Sequence, residues 1–262
     1  LNIHWRIGFD FPEMNTFGTL SAQLSQDPVI FMRALLQTSL NLQTTNFKGK
    51  WKAIDYKAKD RLTQFTSSAQ HLHDFDVFQA LQATLEGPLN LHLANSSVVR
   101  YAQLFDPIPS VTYFSNRGTS GIDGSVSTAV GAALASPSEQ HLLICGDTSF
   151  IYDSNALWTS PFPKNLKIMI IQNHGGGIFQ IIPGPAQSPL REQYFEATHP
   201  HHPGKIAEGF GFEVHYLSEK SKLENAVATF LADNNGPQIL EISTEQSLNA
   251  QVLKDFFNFV KN

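Results

Sequence analysis

Cysteine is almost missing from this chain: Cys145 is the single one in 262 residues. One cysteine cannot close an internal disulfide, which excludes the small cross-linked secreted scaffolds. Its place inside an apolar run reads as a small buried residue rather than a reactive thiol. Charge is also scarce, at 16% of residues with a net of −5 and no basic run, so nucleic-acid binding has no support. That charged share is below the usual quarter and points to surface covered by other chains or segments. No apolar stretch reaches the roughly 18 residues that a membrane-spanning helix needs. There is no internal repeat and no low-complexity tract, and Leu1 is not followed by a signal-peptide pattern. A cytoplasmic setting is therefore expected. The apolar share of 42% fits a globular chain, long enough for one large domain or for one domain plus part of another.

Along the chain, residues 3–9 (IHWRIGF) read as a strand and 11–19 as a loop. Asp27-Pro28 opens a helix over 29–40, with Pro where helix entries favour it. This looks like the end of a separate α/β unit. Residues 41–75 are polar, with helical spacing over Lys50–Phe65. The main domain is expected from Asp74, in a division of 1–45, 46–73 and 74–262. A helix over Phe75–Leu85 stops at Gly87-Pro88. Strands are then predicted at Leu89–Ala94, Val111–Phe114, His141–Cys145, Lys167–Gln172 and Gln238–Ser243. Helices are predicted near Ser97–Phe105, Ser125–Ala135, Ser149–Leu157 and Leu223–Asp233. The alternation predicts an α/β fold, a parallel sheet with helices on both faces.

The most informative motif is Gly146-Asp147-Thr148-Ser149, followed by Asn173-His174-Gly175-Gly176-Gly177. Asp147 and Asn173 each follow an apolar run, which places them at the carboxyl ends of strands, where open α/β sheets bind ligands. A carboxylate and an amide oxygen are hard ligands of the kind Mg²⁺ takes, and glycine at 175 lets a backbone carbonyl approach as a third. The N–H groups opening the helix after Asp147 would face a diphosphate. The bland alternative is a Gly-Asp turn and a glycine-rich loop with no ligand. His199-Pro200-His201-His202-Pro203 tempts as a metal cluster, but two prolines break any helix and no Cys or acid stands at ligand spacing; a flexible loop is expected there. Arg100 and Arg117 each follow a strand, and a guanidinium fork matches a carboxylate bidentately. Asn95 and Ser96 could bond a carboxylate, or Asn95 could cap a helix.

The Asp147–Asn173 pair resembles the signature of thiamine-diphosphate enzymes. Within them the chain is similar to the 2-succinyl-5-enolpyruvyl-6-hydroxy-3-cyclohexene-1-carboxylate (SEPHCHC) synthases of menaquinone biosynthesis. The similarity is carried by Asn95 to Arg100 (NSSVVR), Ser115 to Gly124 (SNRGTSGIDG) and Asn173 to Phe179 (NHGGGIF). It covers 80–262 well and the first 80 residues loosely. Thr148 and His174 depart from the commoner family residues without removing a proposed ligand.

The resemblance implies a transferase using thiamine diphosphate and Mg²⁺ or Mn²⁺. Asp147, Asn173 and Gly175 would hold the metal, and Ser120, Gly146, Thr148, Ser149 and Gly176 would surround the cofactor. Ile122 would wedge between its two rings, with Ile178 and Phe179 as an apolar wall. Asn95, Ser96, Arg100 and Arg117 would contact 2-oxoglutarate and isochorismate; Arg100, Arg117 and Ile122 are the catalytic candidates. It also implies a homo-oligomer and an N-terminal pyrimidine-binding domain that supplies the activating glutamate, for which these residues offer no candidate. On that view the chain is a C-terminal portion inactive alone, with Ile122, Ile178 and Phe179 exposed or disordered and 183–204 mobile. Two rivals stay open: another thiamine-diphosphate enzyme, such as an acetolactate synthase or 2-oxo acid decarboxylase, or a non-catalytic binding module. The Arg100 and Arg117 motifs argue against the first.

Overall fold

The computed structural model describes residues 3–9, 15–38, 45–233 and 236–261. By contacts the chain divides into two compact units, Leu1–Lys52 and Ala53–Asn262. The first holds strand β1 (His4–Ile7), strand β2 (Leu20–Leu24), parallel to it, and helix α1 (Pro28–Gln37). Asp27 caps α1 as its position before Pro28 predicts, accepting from the N–H groups of Val29 and Ile30 at 2.7 and 3.1 Å. The helix ends three residues before the predicted Leu40, at a Thr38 of extended backbone. Residues 10–14, nearly all in the predicted loop, and 39–44, which hold the last two positions of the predicted helix and the start of the polar stretch, lie outside the described residues. β2 was not anticipated; five residues of mixed polarity carry little signal.

Helix α2 (Phe47–Gln64) leads from one unit to the next, and α3 (Asp74–Thr84) opens the larger fold. The order continues β3 (Leu89–Leu93), α4 (Ser97–Ala102), β4 (Val111–Phe114), α5 (Ser125–Ala135), β5 (His141–Gly146), α6 (Asp147–Tyr152) and β6 (Leu166–Gln172). After a run of short helical turns come α7 (Pro203–Gly209), β7 (Val214–Leu217), α8 (Leu223–Ala232), β8 (Gln238–Ser243) and α9 (Gln246–Lys261). The sheet runs β4-β3-β5-β6-β8-β7 with every neighbouring pair parallel. The predicted parallel α/β architecture is therefore the observed one.

Both faces of the sheet are covered. On one face Leu142 and Ile144 of β5 pack with residues of α3, α4, α8 and α9. On the other, Leu143 and Cys145 pack with residues of α5, α6 and α7. Successive strand side chains point to opposite faces, so burial on both sides demands the continuous apolar runs seen in β5 and β6. Cys145 is fully buried, and burial raises its thiol pKa well above the ordinary range, with Asp147 and Asp153 adding to the effect.

This order fixes where a ligand can sit. From β3 the chain moves outward to β4, then returns past β3 to β5 and on to β6. The connections leaving β3 and β5 therefore run in opposite directions. That is a topological switch point, and a crevice opens there at the carboxyl ends of the strands.

Candidate active site

Asn95 and Ser96 follow β3, Asp147 follows β5 and Asn173 follows β6, so the switch point gathers all four. A cavity of about 420 Å³ lies there. Its wall includes Asn95, Ser96, Ser120, Ile122, Gly146, Asp147, Thr148, Ser149, Asn173, Gly175, Gly176, Ile178 and Phe179. Every residue predicted for the site is thus brought together except two. Arg117 lines an adjoining apolar hollow of about 550 Å³ beside α3, α4 and β4, and Arg100 sits exposed in the last turn of α4. The larger hollow contains none of the predicted oxygen ligands, so the 420 Å³ cavity is the candidate site.

Asp147 is 1% exposed and ties two strand ends together. Its Oδ2 accepts from the backbone N–H of Asn173 and of Gly175, both at 3.1 Å. Its Oδ1 accepts from the backbone N–H of Thr148 at 2.5 Å and from the Thr148 hydroxyl at 3.0 Å. Burial pushes the Asp147 carboxyl pKa upward; the Thr148 N–H and His199, whose Nε2 lies 3.8 Å from Oδ2, pull the other way. The helix begins at Asp147 itself, not at Ser149, and is only six residues long before a 3-10 turn over Ser154–Trp158. With the first free N–H spent on Asp147, the predicted helix-end contribution is smaller than the sequence suggested.

Asn173 is buried, and its Oδ1 has no hydrogen-bond partner among the described residues. Its Nδ2 donates to Asp74 Oδ2 at 3.3 Å. Gly175 has φ +145, and a Cβ built there would lie 2.6 Å from the Glu196 carbonyl oxygen. Its own carbonyl accepts the Gly177 N–H at 3.0 Å and keeps a second lone pair. A Cβ at Gly146 would meet nothing within 4 Å, which leaves open space over that turn. An orphaned amide oxygen, a buried carboxylate and a carbonyl of a close-packed glycine, all oxygen donors, fit a hard divalent cation. Among the described residues of the larger unit, the non-glycine residues with positive φ are Ser96, Ser120, His174 and Ala197. Three of them line the cavity and the fourth lies between two proposed ligands, a clustering of backbone strain typical of functional sites.

Several expectations need correction. Asn95 does not offer its amide to the cavity: it is 1% exposed, and its Nδ2 donates to the carbonyls of Asn116 and Gly121 at 2.8 and 2.6 Å. Its Oδ1 accepts from Arg117 Nη1 at 2.7 Å. The side chain clasps the 116–121 loop and aims Arg117; it caps no helix, because Ser96 holds that position. The Ser149 hydroxyl is likewise used internally, on the Ile122 carbonyl at 2.5 Å. Ile178, expected to be exposed, is buried in the 3-10 turn Gly177–Gln180, while Ile122 and Phe179 are half-buried.

The segment 183–204 folds as a 3-10 turn at Pro185–Gln187 and a π-helical turn at Arg191–Glu196 before α7 begins at Pro203. Glu196 secures it: buried, it pairs with Arg191 and accepts from Gln180 Nε2 at 3.1 Å, and its carbonyl accepts the Gly176 N–H at 2.7 Å. Farther on, His202 and the Gly204 N–H meet the buried Glu241 carboxylate at 3.3 and 2.6 Å. Sequence reasoning missed Glu196 and Asp74. Asp74 is 2% exposed, and burial raises its carboxyl pKa to about 6, against the pull of the neighbouring Thr244, Asn249 and Asn173 side chains.

Comparison with known proteins follows the same lines. Residues 95–242 match the thiamine pyrophosphate enzyme family's C-terminal TPP binding domain. A 2-succinyl-5-enolpyruvyl-6-hydroxy-3-cyclohexene-1-carboxylate synthase of Flavobacterium johnsoniae is 39% identical over 254 residues, 97% of this chain and 45% of that protein. The protein of the same name from Christiangramia forsetii is 45% identical over 172 residues, 66% of this chain and 30% of the relative. One from Bacteroides fragilis is 33% identical over 262 residues, 99% of this chain and 46% of the relative. The chain spans less than half the length of these curated relatives.

Proposed function

We propose, from the premise that this chain belongs to the thiamine pyrophosphate enzymes and carries their C-terminal cofactor-binding domain, that it serves a SEPHCHC synthase. In that transferase it would bind the diphosphate end of thiamine diphosphate through Mg²⁺ or Mn²⁺. The observation that carries the reading is the buried, unpartnered Oδ1 of Asn173 beside the Asp147 carboxylate at a switch-point crevice. Asp147, Asn173 and the Gly175 carbonyl are the metal ligands. Ser120, Gly146, Thr148, Ser149 and Gly176 form the cradle around the diphosphate. Ile122, Ile178 and Phe179 supply an apolar wall, which keeps water from the reacting end.

Bound thiamine diphosphate supplies the carbanion stabilisation needed to decarboxylate 2-oxoglutarate and add its succinyl unit to isochorismate. The protein's part is to bind, orient and exclude water. Arg100 and Arg117 hold substrate carboxylates, and Asn95 fixes the direction of Arg117. In the whole protein, residues 1–45 close a central α/β domain, 46–73 link and 74–262 form the diphosphate-binding domain. An N-terminal pyrimidine-binding domain covers the site within a homo-oligomer. Tyr152 and Tyr194, at 66% and 67% exposed on the cavity wall, support a further covering surface.

The test is Asp147→Ala in the whole protein, followed by calorimetric titration with thiamine diphosphate in the presence and absence of Mg²⁺. Metal-dependent binding is expected to disappear while the far-UV circular dichroism is kept. Unchanged affinity would refute the assignment.

A further inference from the structure

We infer that Asp74 is a positioning residue for the metal site, turning the Asn173 amide so that its oxygen, not its nitrogen, faces the cavity. The inference rests on the reading of Asp147, Asn173 and Gly175 as metal ligands. An asparagine side chain has two nearly isosteric ends, one that only accepts and one that only donates. A cation needs the accepting end. Some neighbour must therefore decide between two orientations related by a half-turn.

Asp74 is built to decide. It lies at the first position of α3, buried, with both carboxylate oxygens used as acceptors. Oδ1 takes the hydroxyl of Thr244 at 2.6 Å, and Oδ2 takes Asn173 Nδ2 at 3.3 Å. Its backbone N–H donates to Asn249 Oδ1 at 2.8 Å, so the residue is anchored from β8's exit and from α9. The reverse orientation would set an amide oxygen against a buried carboxylate oxygen with no proton between them. With the nitrogen held inward, Oδ1 is left buried without a partner. A buried acceptor left so calls for a partner, a water or an ion, and this one belongs to a residue of the cavity wall. The support is the outer-shell arrangement by which carboxylates fix metal-ligating side chains.

Two roles for Asp74 can be told apart. Its negative charge also lies near the site, and charge alone would favour a cation. Asp74→Asn removes the charge but keeps an oxygen for Asn173, because the Thr244 hydroxyl can turn and accept the new NH₂. Asp74→Leu removes the acceptor, and Asp74→Ser, whose hydroxyl stops one bond short of the carboxylate oxygens, withdraws it from the reach of Asn173 without burying added apolar bulk.

The experiment measures Mn²⁺ affinity of the whole protein with thiamine diphosphate present, by the electron paramagnetic resonance of free Mn²⁺, alongside thermal unfolding. Expected is at least a tenfold loss in Asp74→Leu and Asp74→Ser, with Asp74→Asn within threefold of wild type. Thr244→Val, which removes a partner of Asp74 but not of Asn173, should also stay within threefold. Wild-type affinity in a folded Leu or Ser variant overturns the inference, as does an Asn variant as weak as these. Asp147→Ala separates the two layers. Unchanged affinity there overturns the metal reading itself. Lost affinity there, with wild-type affinity in folded Asp74 variants, overturns the Asp74 role alone.

Discussion

Among the glycines of the cavity wall, Gly175 is the one whose replacement by Ala the geometry constrains most tightly. The added Cβ would stand 2.6 Å from the Glu196 carbonyl oxygen and 3.3 Å from Thr198 Cα, on a backbone with φ +145. Both neighbours are main chain, so no flexible side chain can give way. Holding an alanine in that backbone region costs about 1–3 kcal/mol. Displacing the Glu196 carbonyl also weakens its 2.7 Å bond from the Gly176 N–H, worth about 0.5–1.5 kcal/mol. Two responses are open. Either the loop keeps its path and the protein loses about 2–4 kcal/mol of stability, or the loop relaxes and the Gly175 carbonyl leaves the metal. The first lowers the unfolding temperature, and the second weakens Mn²⁺ binding by a factor of ten for each roughly 1.4 kcal/mol. Gly177→Ala is the internal control: its Cβ would meet Asn173 Nδ2 at 3.5 Å, an ordinary contact. Differential scanning calorimetry and Mn²⁺ titration of both variants decide the matter. A Gly175→Ala protein matching Gly177→Ala in both measurements would refute the close-approach argument.

Arg100→Ala and Arg117→Ala are expected to weaken use of 2-oxoglutarate or isochorismate by roughly ten- to over a hundredfold, the 1.5–3 kcal/mol of a charge-assisted contact, with cofactor affinity unchanged; steady-state kinetics for both substrates check this. For pH, the buried pair His92 and His141 lies 3.0 Å apart, and burial, then the neighbouring His141, pushes His92 down to about 4. The unfolded chain then binds the proton more readily, so this pair's contribution to stability is full above about pH 6.5 and is lost as pH falls toward 4, at most about 1.4 kcal/mol per unit for each histidine. Asp74, raised to about 6, works oppositely over the same range. The clean measurement is therefore the difference between wild type and His92→Gln in urea unfolding at pH 7, 6 and 5. Identical pH slopes in the two proteins would contradict the assignment.

What the sequence made legible follows from how local each signal is. β5 and β6 are apolar runs ended by Gly146 and Asn173, and a buried parallel strand needs little beyond that pattern, so both strands and the residues that stand at their ends could be read directly. α9 was readable and was missed: Leu248, Val252 and Phe256 recur at helical spacing, and the last two are buried. β7, four residues of mixed burial at the sheet's edge, carries no comparable signal. Asp74 could not be found locally, since its partners Asn173, Thr244 and Asn249 stand about 100 to 175 positions away along the chain. The Asn95 amide is committed to carbonyls of a loop more than 20 positions downstream, a contact no local pattern announces. His174, at φ +66, sits in a left-handed conformation that His and Asn tolerate better than most residues.

The site divides into two parts with different physical demands. The proposed metal end is buried and cross-tied: Asp147 joins β5's exit to Asn173 and Gly175, Asp74 braces Asn173 from α3, and Glu196 closes over Gly175. Each of these groups has lost its water, so its cost is repaid only when every donor and acceptor is matched. Such a network tolerates few alternatives and suits the cofactor end, whose chemistry does not change with substrate. Arg100 and Arg117, the proposed substrate rim, stand exposed outside the wall of the cavity, where a long side chain can be exchanged without opening the core. Substrate choice should therefore reside in the rim and in whatever surface covers Tyr152 and Tyr194. A substitution in the buried network is expected to lower affinity for metal and cofactor whichever substrate is offered. One at the rim should change KM between 2-oxoglutarate and isochorismate at constant cofactor affinity. A rim variant that loses metal binding, or a network variant that discriminates between substrates, would show that the two parts are coupled rather than separate.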